Sequence, residues 1–407
     1  MKTSTAFWLK FSLINLFLVA LLGTYLRLKI YTELPLTQKN LLNAHSHFAF
    51  LGWIGHTLMV LMIYVLKKKI PSLPDMKYSL LLAANLLCAY GMLFSFVYQG
   101  YGTISIVLLI LSVLLFYVFA YVFYKDSRHL KSELFLKWFQ GALFFGAFSA
   151  FGTFFLAYTL TSKNLNFDAY LSSIYFYLHF QYNGWFLFAC IGLFLSMFKI
   201  DAPFLRRNNQ WYYLLFTATL ATFFLSILWL KISEIIYWVT TFCALLQLVV
   251  WIRMHYAFKL SYQSEIKDDP RFLRWILILV SGFVALKFFL QFLLVFPELA
   301  TIVYGIRPIV IAFLHLVLLG IISLFMLYFI FGASQKILPI NRYVRLALIF
   351  FVIAVLVNEL FLVLQGFFGF RRMVFSNINE WLLFAVALLL VSSGLLCILV
   401  IRNKRVS

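Results

Sequence analysis

The sequence predicts an all-α polytopic membrane bundle of about twelve transmembrane helices with both termini cytoplasmic. Three observations predict it. The 407 residues are 64% hydrophobic, 20% aromatic and only 11% charged, with a mean hydropathy of +0.98. No soluble globular domain has this balance. Apolar runs of the length a bilayer demands, about 20 residues, recur from one end of the chain to the other. The basic residues then alternate in density between the loops, as membrane insertion requires.

The runs fall in order at 6–26, 41–66, 78–98, 102–124, 136–160, 169–198, 211–230, 234–253, 272–296, 305–333, 343–368 and 379–401. The first is too long for a signal-peptide core and lacks a clear small-residue cleavage site, so it is expected to remain as a membrane helix. The second ends at Lys67, Lys68 and Lys69, and Lys77 precedes the third. Between the third and fourth the only break is Gln99-Gly100-Tyr101-Gly102. Lys125, Arg128, Lys131 and Lys137 separate the fourth from the fifth, and Lys163 the fifth from the sixth. Lys199, Arg206 and Arg207 divide the sixth from the seventh, and Lys231 the seventh from the eighth. The longest polar loop, 254–271, precedes the ninth and is too short to fold alone. Arg307 opens the tenth, Lys336 and Arg342 lie before the eleventh, and Arg371 and Arg372 follow it. Arg402, Lys404 and Arg405 follow the twelfth. Residues 1–407 therefore read as a single transmembrane domain with no repeat of 20–50 residues.

The net charge of +20 reads as topology rather than as a nucleic-acid surface. With a cytoplasmic amino terminus, 24 of the 33 Lys and Arg lie in inside segments and 8 in outside segments, Lys287 being intramembrane. This is the positive-inside bias, and it favours an even number of helices. The expected partner is the lipid bilayer, with anionic headgroups suited to the basic side. Cys88, Cys190, Cys243 and Cys397 lie in apolar runs without a CxxC or CxxCH pattern, and read as small packing residues.

The chemistry is concentrated in histidines. His45 and His47 fall near the start of the second run, His179 in the sixth and His315 in the tenth. An ionisable group inside a membrane helix is costly and normally faces the bundle interior with a partner. All three helices run inward under this topology, which puts the histidines roughly 6–15 Å below the outer face. One shared site, with imidazoles ligating a haem or a metal, is the economical reading. The alternative for each alone is an interhelical hydrogen bond. His45 and His47, two residues apart, face different ways. His56 returns to nearly the face of His45 but deeper, where it serves a second site or a backbone carbonyl. His129 and His255 lie at helix ends and read as interfacial.

Four stretches resemble the catalytic subunit of the haem-copper oxidases and nitric oxide reductases. Asn43-Ala44-His45-Ser46-His47-Phe48 resembles that family's second-helix haem-ligand region. Phe313-Leu314-His315-Leu316 is similar to its tenth-helix motif, in which two histidines are separated by one residue. Arg371-Arg372 resembles the arginine pair that meets haem propionates after the eleventh helix. His179-Phe180-Gln181-Tyr182-Asn183-Gly184 resembles the sixth-helix metal-ligand segment of nitric oxide reductases, with Asn183 where they carry glutamate. The resemblance implies one low-spin haem b on His315 and on His45 or His47, with Arg371 and Arg372 at its propionates. It implies no intact binuclear centre. Phe313 stands where the family has its high-spin haem ligand, and the seventh run has no histidine for copper or non-haem iron. His179 remains as the single candidate metal ligand. The implied setting is a bacterial inner membrane, with a membrane or periplasmic electron donor.

Lys287 and Glu359 lie mid-helix in the ninth and eleventh runs at matching depth, which favours a buried ion pair. The pair would either fix helix register or take part in proton movement or gating. Gln181, Asn183, Gln247, Gln291, Asn358 and Gln365 add intramembrane polar groups. Electron transfer, or redox chemistry on a diatomic gas, is therefore the leading expectation. A twelve-helix secondary transporter and a non-catalytic respiratory assembly factor are the rivals. A transporter is expected to show internal repeat symmetry and helices broken near the midplane.

Overall fold

The structure is a computed structural model describing residues 4–402 except 34, 131–132, 162–165, 199–208, 266–268, 333–336 and 374. Of the charged residues counted above, Lys2, Lys131, Lys163, Lys199, Arg206, Arg207, Lys267, Lys336, Lys404 and Arg405 lie outside the described residues. Twelve helices in the described residues are long and apolar enough to cross a membrane. They run Thr5–Leu28, Gln38–Lys69, Asp75–Gln99, Thr103–Ser127, Leu134–Thr159, Phe167–Leu195, Gln210–Ile227, Glu234–Lys259, Arg271–Leu293, Arg307–Phe331, Arg342–Phe370 and Ile378–Arg402. Each coincides with one of the twelve apolar runs. The fold is thus an all-α polytopic bundle of the kind that membrane insertion selects, because only a helix satisfies its own backbone in lipid.

Side-chain caps fix where several of these helices begin. Ser4, Thr37, Asn166 and Asn341 each accept a hydrogen bond from a first-turn backbone N–H. Pro297 at a first-turn position starts an additional short helix, Pro297–Gly305, ahead of the tenth span. Hydropathy places this stretch between the ninth and tenth apolar runs, 272–296 and 305–333.

The chain divides into two compact units. The first comprises Met1–Val122 and Met326–Ser407, the second Phe123–Phe325. Both boundaries fall inside continuous helices, the fourth and the tenth. Within the first unit, the first helix packs on the second and the twelfth, and the eleventh lies against the twelfth. Thr24 Oγ1 donates to Val386 O at 3.2 Å, so the end of the first helix meets the start of the twelfth. Within the second unit, the sixth helix packs on the fifth, the seventh on the eighth, and the ninth on both the eighth and the tenth. Its interior is rich in rings. Phe145 stacks on Phe180 and meets Phe188 and Phe216 edge-on or tilted at 4.7–5.8 Å.

Candidate functional site

Three helices switch to π geometry within the described residues, and they are the three that carry the intramembrane histidine sites. The π segments are Ala49–Gly55, Phe180–Phe186 and Leu316–Ser323. The second begins directly after His179 and the third directly after His315. The first lies between His47 and His56. A π turn widens the helix and misaligns backbone carbonyls, so side chains must satisfy them.

In the first unit, the π segment draws those side chains from two neighbouring helices. Asn15 Nδ2 donates to Gly52 O at 2.6 Å, and Asn85 Nδ2 approaches Leu51 O at 3.5 Å. Tyr90 Oη donates in turn to Asn15 Oδ1 at 2.7 Å. His56 is wholly buried beside this network, with Nδ1 3.4 Å from Asn85 Nδ2 and its ring edge-on to Trp8.

His45 and His47 point to different neighbours, as their two-residue spacing demands. His45 lies against the first helix at Gly23, where a Cβ would come within 3.3 Å of its Cε1. His47 stacks on Phe96, ring centroids 4.5 Å apart and nearly parallel. Its Nε2 lies 3.0 Å from the Tyr101 hydroxyl. Tyr101 reaches it through the turn after the third helix. Gly100 there has φ +61°, and a Cβ would sit 2.5 Å from Asn40 Oδ1. Only glycine permits that path. Sequence reading found this turn as a helix break and missed Tyr101 as a partner. The glycines flanking Tyr101 were the available signal.

In the second unit, both nitrogens of His179 are engaged. A carbonyl can only accept, so Nε2–H donates to Thr219 O at 2.8 Å. Nδ1 then accepts from Asn183 Nδ2 at 3.0 Å. Gln247 Nε2 donates to Thr219 Oγ1 at 3.2 Å, so the sixth, seventh and eighth helices are tied at one point. The captured Thr219 carbonyl has a local effect. The seventh helix tightens to 3₁₀ geometry across Thr222–Ile227, immediately beyond it. Tyr182 bridges His179 and Phe313, with ring centroids 6.3 and 6.0 Å away. A metal on His179 would require Asn183 to release Nδ1.

His315 Nδ1 lies 2.9 Å from Ile311 O, the carbonyl one turn back. Nδ1–H donates there, which orients the ring. This is the arrangement that fixes metal-ligating imidazoles. Ser323 Oγ closes the π segment by donating to Leu318 O at 2.7 Å.

Arg371 caps the eleventh helix, and Arg372 follows at φ 52°. Met373 N donates to Phe368 O at 2.9 Å, completing a helix stop that normally uses glycine at the position of Arg372. A left-handed arginine costs roughly 1–2 kcal/mol relative to glycine. Both arginines are exposed. Through the Thr24–Val386 contact, their turn lies at the end of the first unit that holds His45 and His47.

Lys287 belongs to the second unit and Glu359 to the first. Lys287 Nζ lies 3.9 Å from the Phe288 ring centroid and has no hydrogen-bond partner among the described residues. Glu359 Oε1 accepts from Asn358 Nδ2 at 3.4 Å. The pairing expected from sequence is measured by a double-mutant cycle of Lys287→Met and Glu359→Gln. Paired groups should couple by about 2 kcal/mol, whereas simple additivity of the two changes would remove the pairing. His129 and His255 are exposed, His255 Nδ1 lying 2.6 Å from Ser281 Oγ. Among the described residues no three His, Cys, Asp or Glu side chains cluster so as to hold a metal ion. No family model matches the chain, and no curated protein matches its sequence.

Proposed function

We propose that the chain is an integral-membrane haem b protein with a redox role, either electron transfer or chemistry on a diatomic gas. The observation that carries this reading is the coincidence of every π segment in the described residues with a histidine site. Such segments recur at functional sites, because the widened turn is retained only where something depends on it. The Ile311 O contact orients the His315 imidazole, which would hold the haem iron. In the first unit His47 is already committed to Tyr101 and Phe96. The resemblance gives the second histidine that would hold the haem as His45 or His47. Arg371 and Arg372 supply donors suited to propionates. The left-handed backbone at Arg372 supports a role for that side chain beyond ending a helix.

When bound, the haem supplies one-electron redox chemistry. The chain's own residues fix the ligand tautomer, lower the local dielectric by burial and place cationic charge. No role is assigned to copper or non-haem iron. The setting proposed is a bacterial cytoplasmic membrane, with an electron donor in or outside it. The test is the visible spectrum of purified, dithionite-reduced protein with haem extraction. A six-coordinate b-type spectrum from a single haem is expected. His315→Ala should abolish it, as should alanine at one of His45 and His47, while alanine at the other retains it. Protein that purifies colourless after growth with added haem precursor would refute this reading and leave the transporter.

A further inference from the structure

The second unit contains a cavity of about 730 Å³ that the haem reading does not use. It opens between the sixth, eighth, ninth and tenth helices, and its lining is chemically divided. The deep part is apolar, formed by residues such as Leu187, Val280, Val284 and Ile321. The mouth carries His255, Lys259, Arg271 and Arg274 from the ends of the eighth and ninth helices. No carboxylate lines it among the described residues. Lys259, Arg271 and Arg274 lie where the eighth and ninth helices approach their connection, on the side of the membrane with the denser basic residues; the stretch 254–271 expected as a polar loop is helical as far as Glu265. Arg274 Nε–H is buried without a hydrogen-bond partner among the described residues, a donor that needs an acceptor. Trp275 is 68% exposed beside it, at the level where indoles mark the membrane interface. Arg274 and Val284 are ten residues apart on one helix, or about 15 Å. That span carries a ligand from headgroup depth into the hydrocarbon.

We propose that this cavity is a binding site for an anionic phospholipid. Its phosphate takes the Arg274 Nε–H and the charges of Arg271 and Lys259, and an acyl chain lies along Val280, Val284 and Ile321. Charge complementarity selects the occupant: three fixed cations over an apolar slot match a phosphodiester on a hydrocarbon tail. A neutral quinone or an apolar partner helix would leave the cations uncompensated. Basic pockets between transmembrane helices on the cytoplasmic side are suited to such headgroups.

The test is native mass spectrometry of the full chain, purified in mild detergent and offered phosphatidylglycerol and phosphatidylcholine in equal amounts. Wild-type protein should retain phosphatidylglycerol over phosphatidylcholine by roughly tenfold or more. The double variant Arg271→Gln/Arg274→Gln should lose that preference. Val280→Trp, which fills the apolar part and leaves the cations in place, should lose retained lipid of both kinds. Where the arginine variant fails to fold, Lys259→Gln is scored in the same way. Equal retention of the two lipids by wild type overturns the proposal. So does a preference that survives loss of the arginines, displacement by inorganic phosphate alone, or a retained quinone in place of lipid.

Discussion

Gly184→Ala is expected to destabilise the protein by about 3 kcal/mol, seen as a lower midpoint of thermal or detergent-induced unfolding. A Cβ on Gly184 would lie 2.4 Å from Cβ and 2.5 Å from Cγ of Phe145. These atoms sit at the root of the side chain, so no rotamer change relieves the clash. The fifth helix itself would have to retreat, and Phe145 anchors the stack with Phe180, Phe188 and Phe216. The control is Gly282→Ala in the ninth helix, where an added Cβ meets nothing within 4 Å. There the helix gains about 0.5–1 kcal/mol from reduced backbone freedom. Two identical chemical changes should thus move stability in opposite directions. Equal effects would show that the close approach at Gly184 is wrong.

His179→Ala is expected to cost about 3 kcal/mol and, under the proposed haem reading, to leave the spectrum unchanged. The imidazole donates to Thr219 O and accepts from Asn183, and it is 1% exposed. Removal strands a buried carbonyl and a buried amide and opens a cavity between three helices. Gln247→Leu removes only the donor to Thr219 Oγ1, so it should cost about 1 kcal/mol. Loss of the proposed haem in His179→Ala would reassign the residues that hold it. Loss of a stoichiometric metal with the haem retained would make His179 a ligand instead of a tie between helices.

Hydropathy made the helix inventory legible because the bilayer sets a length that each apolar run must meet. Even the Gln99–Gly102 break proved sufficient, since Gly100 takes a backbone conformation closed to other residues. The interior of each helix was less legible. Nothing in Phe180–Phe186 or Leu316–Ser323 marks π geometry, because the stretch is stabilised by contacts from other helices and by a single hydroxyl. The same holds for the partners of the histidines. Asn183 was visible four residues after His179, one helical turn away. Thr219 could not be anticipated, because its carbonyl, not its side chain, receives the imidazole. Tyr101 lay in a segment read only as punctuation. Pro297 was a readable start signal, but the stretch after it is too short to register as a span.

The π segment at Ala49–Gly55 also changes what chain length means in the second helix. Hydrogen bonding to the fifth residue takes up one more residue per turn than bonding to the fourth. The helix is therefore two α-helical halves joined out of phase. A regular wheel places His45 and His56, eleven residues apart, on almost the same side. Across this joint that arithmetic no longer holds. Deleting one residue inside the segment would let it close to ordinary α geometry, with Asn15 left to find another acceptor. The same deletion a turn earlier would instead rotate the part of the helix before it by about 100° against the part after it. Insertions and deletions are thus unequal along this helix: it carries one stored residue, placed between its two histidine-bearing halves.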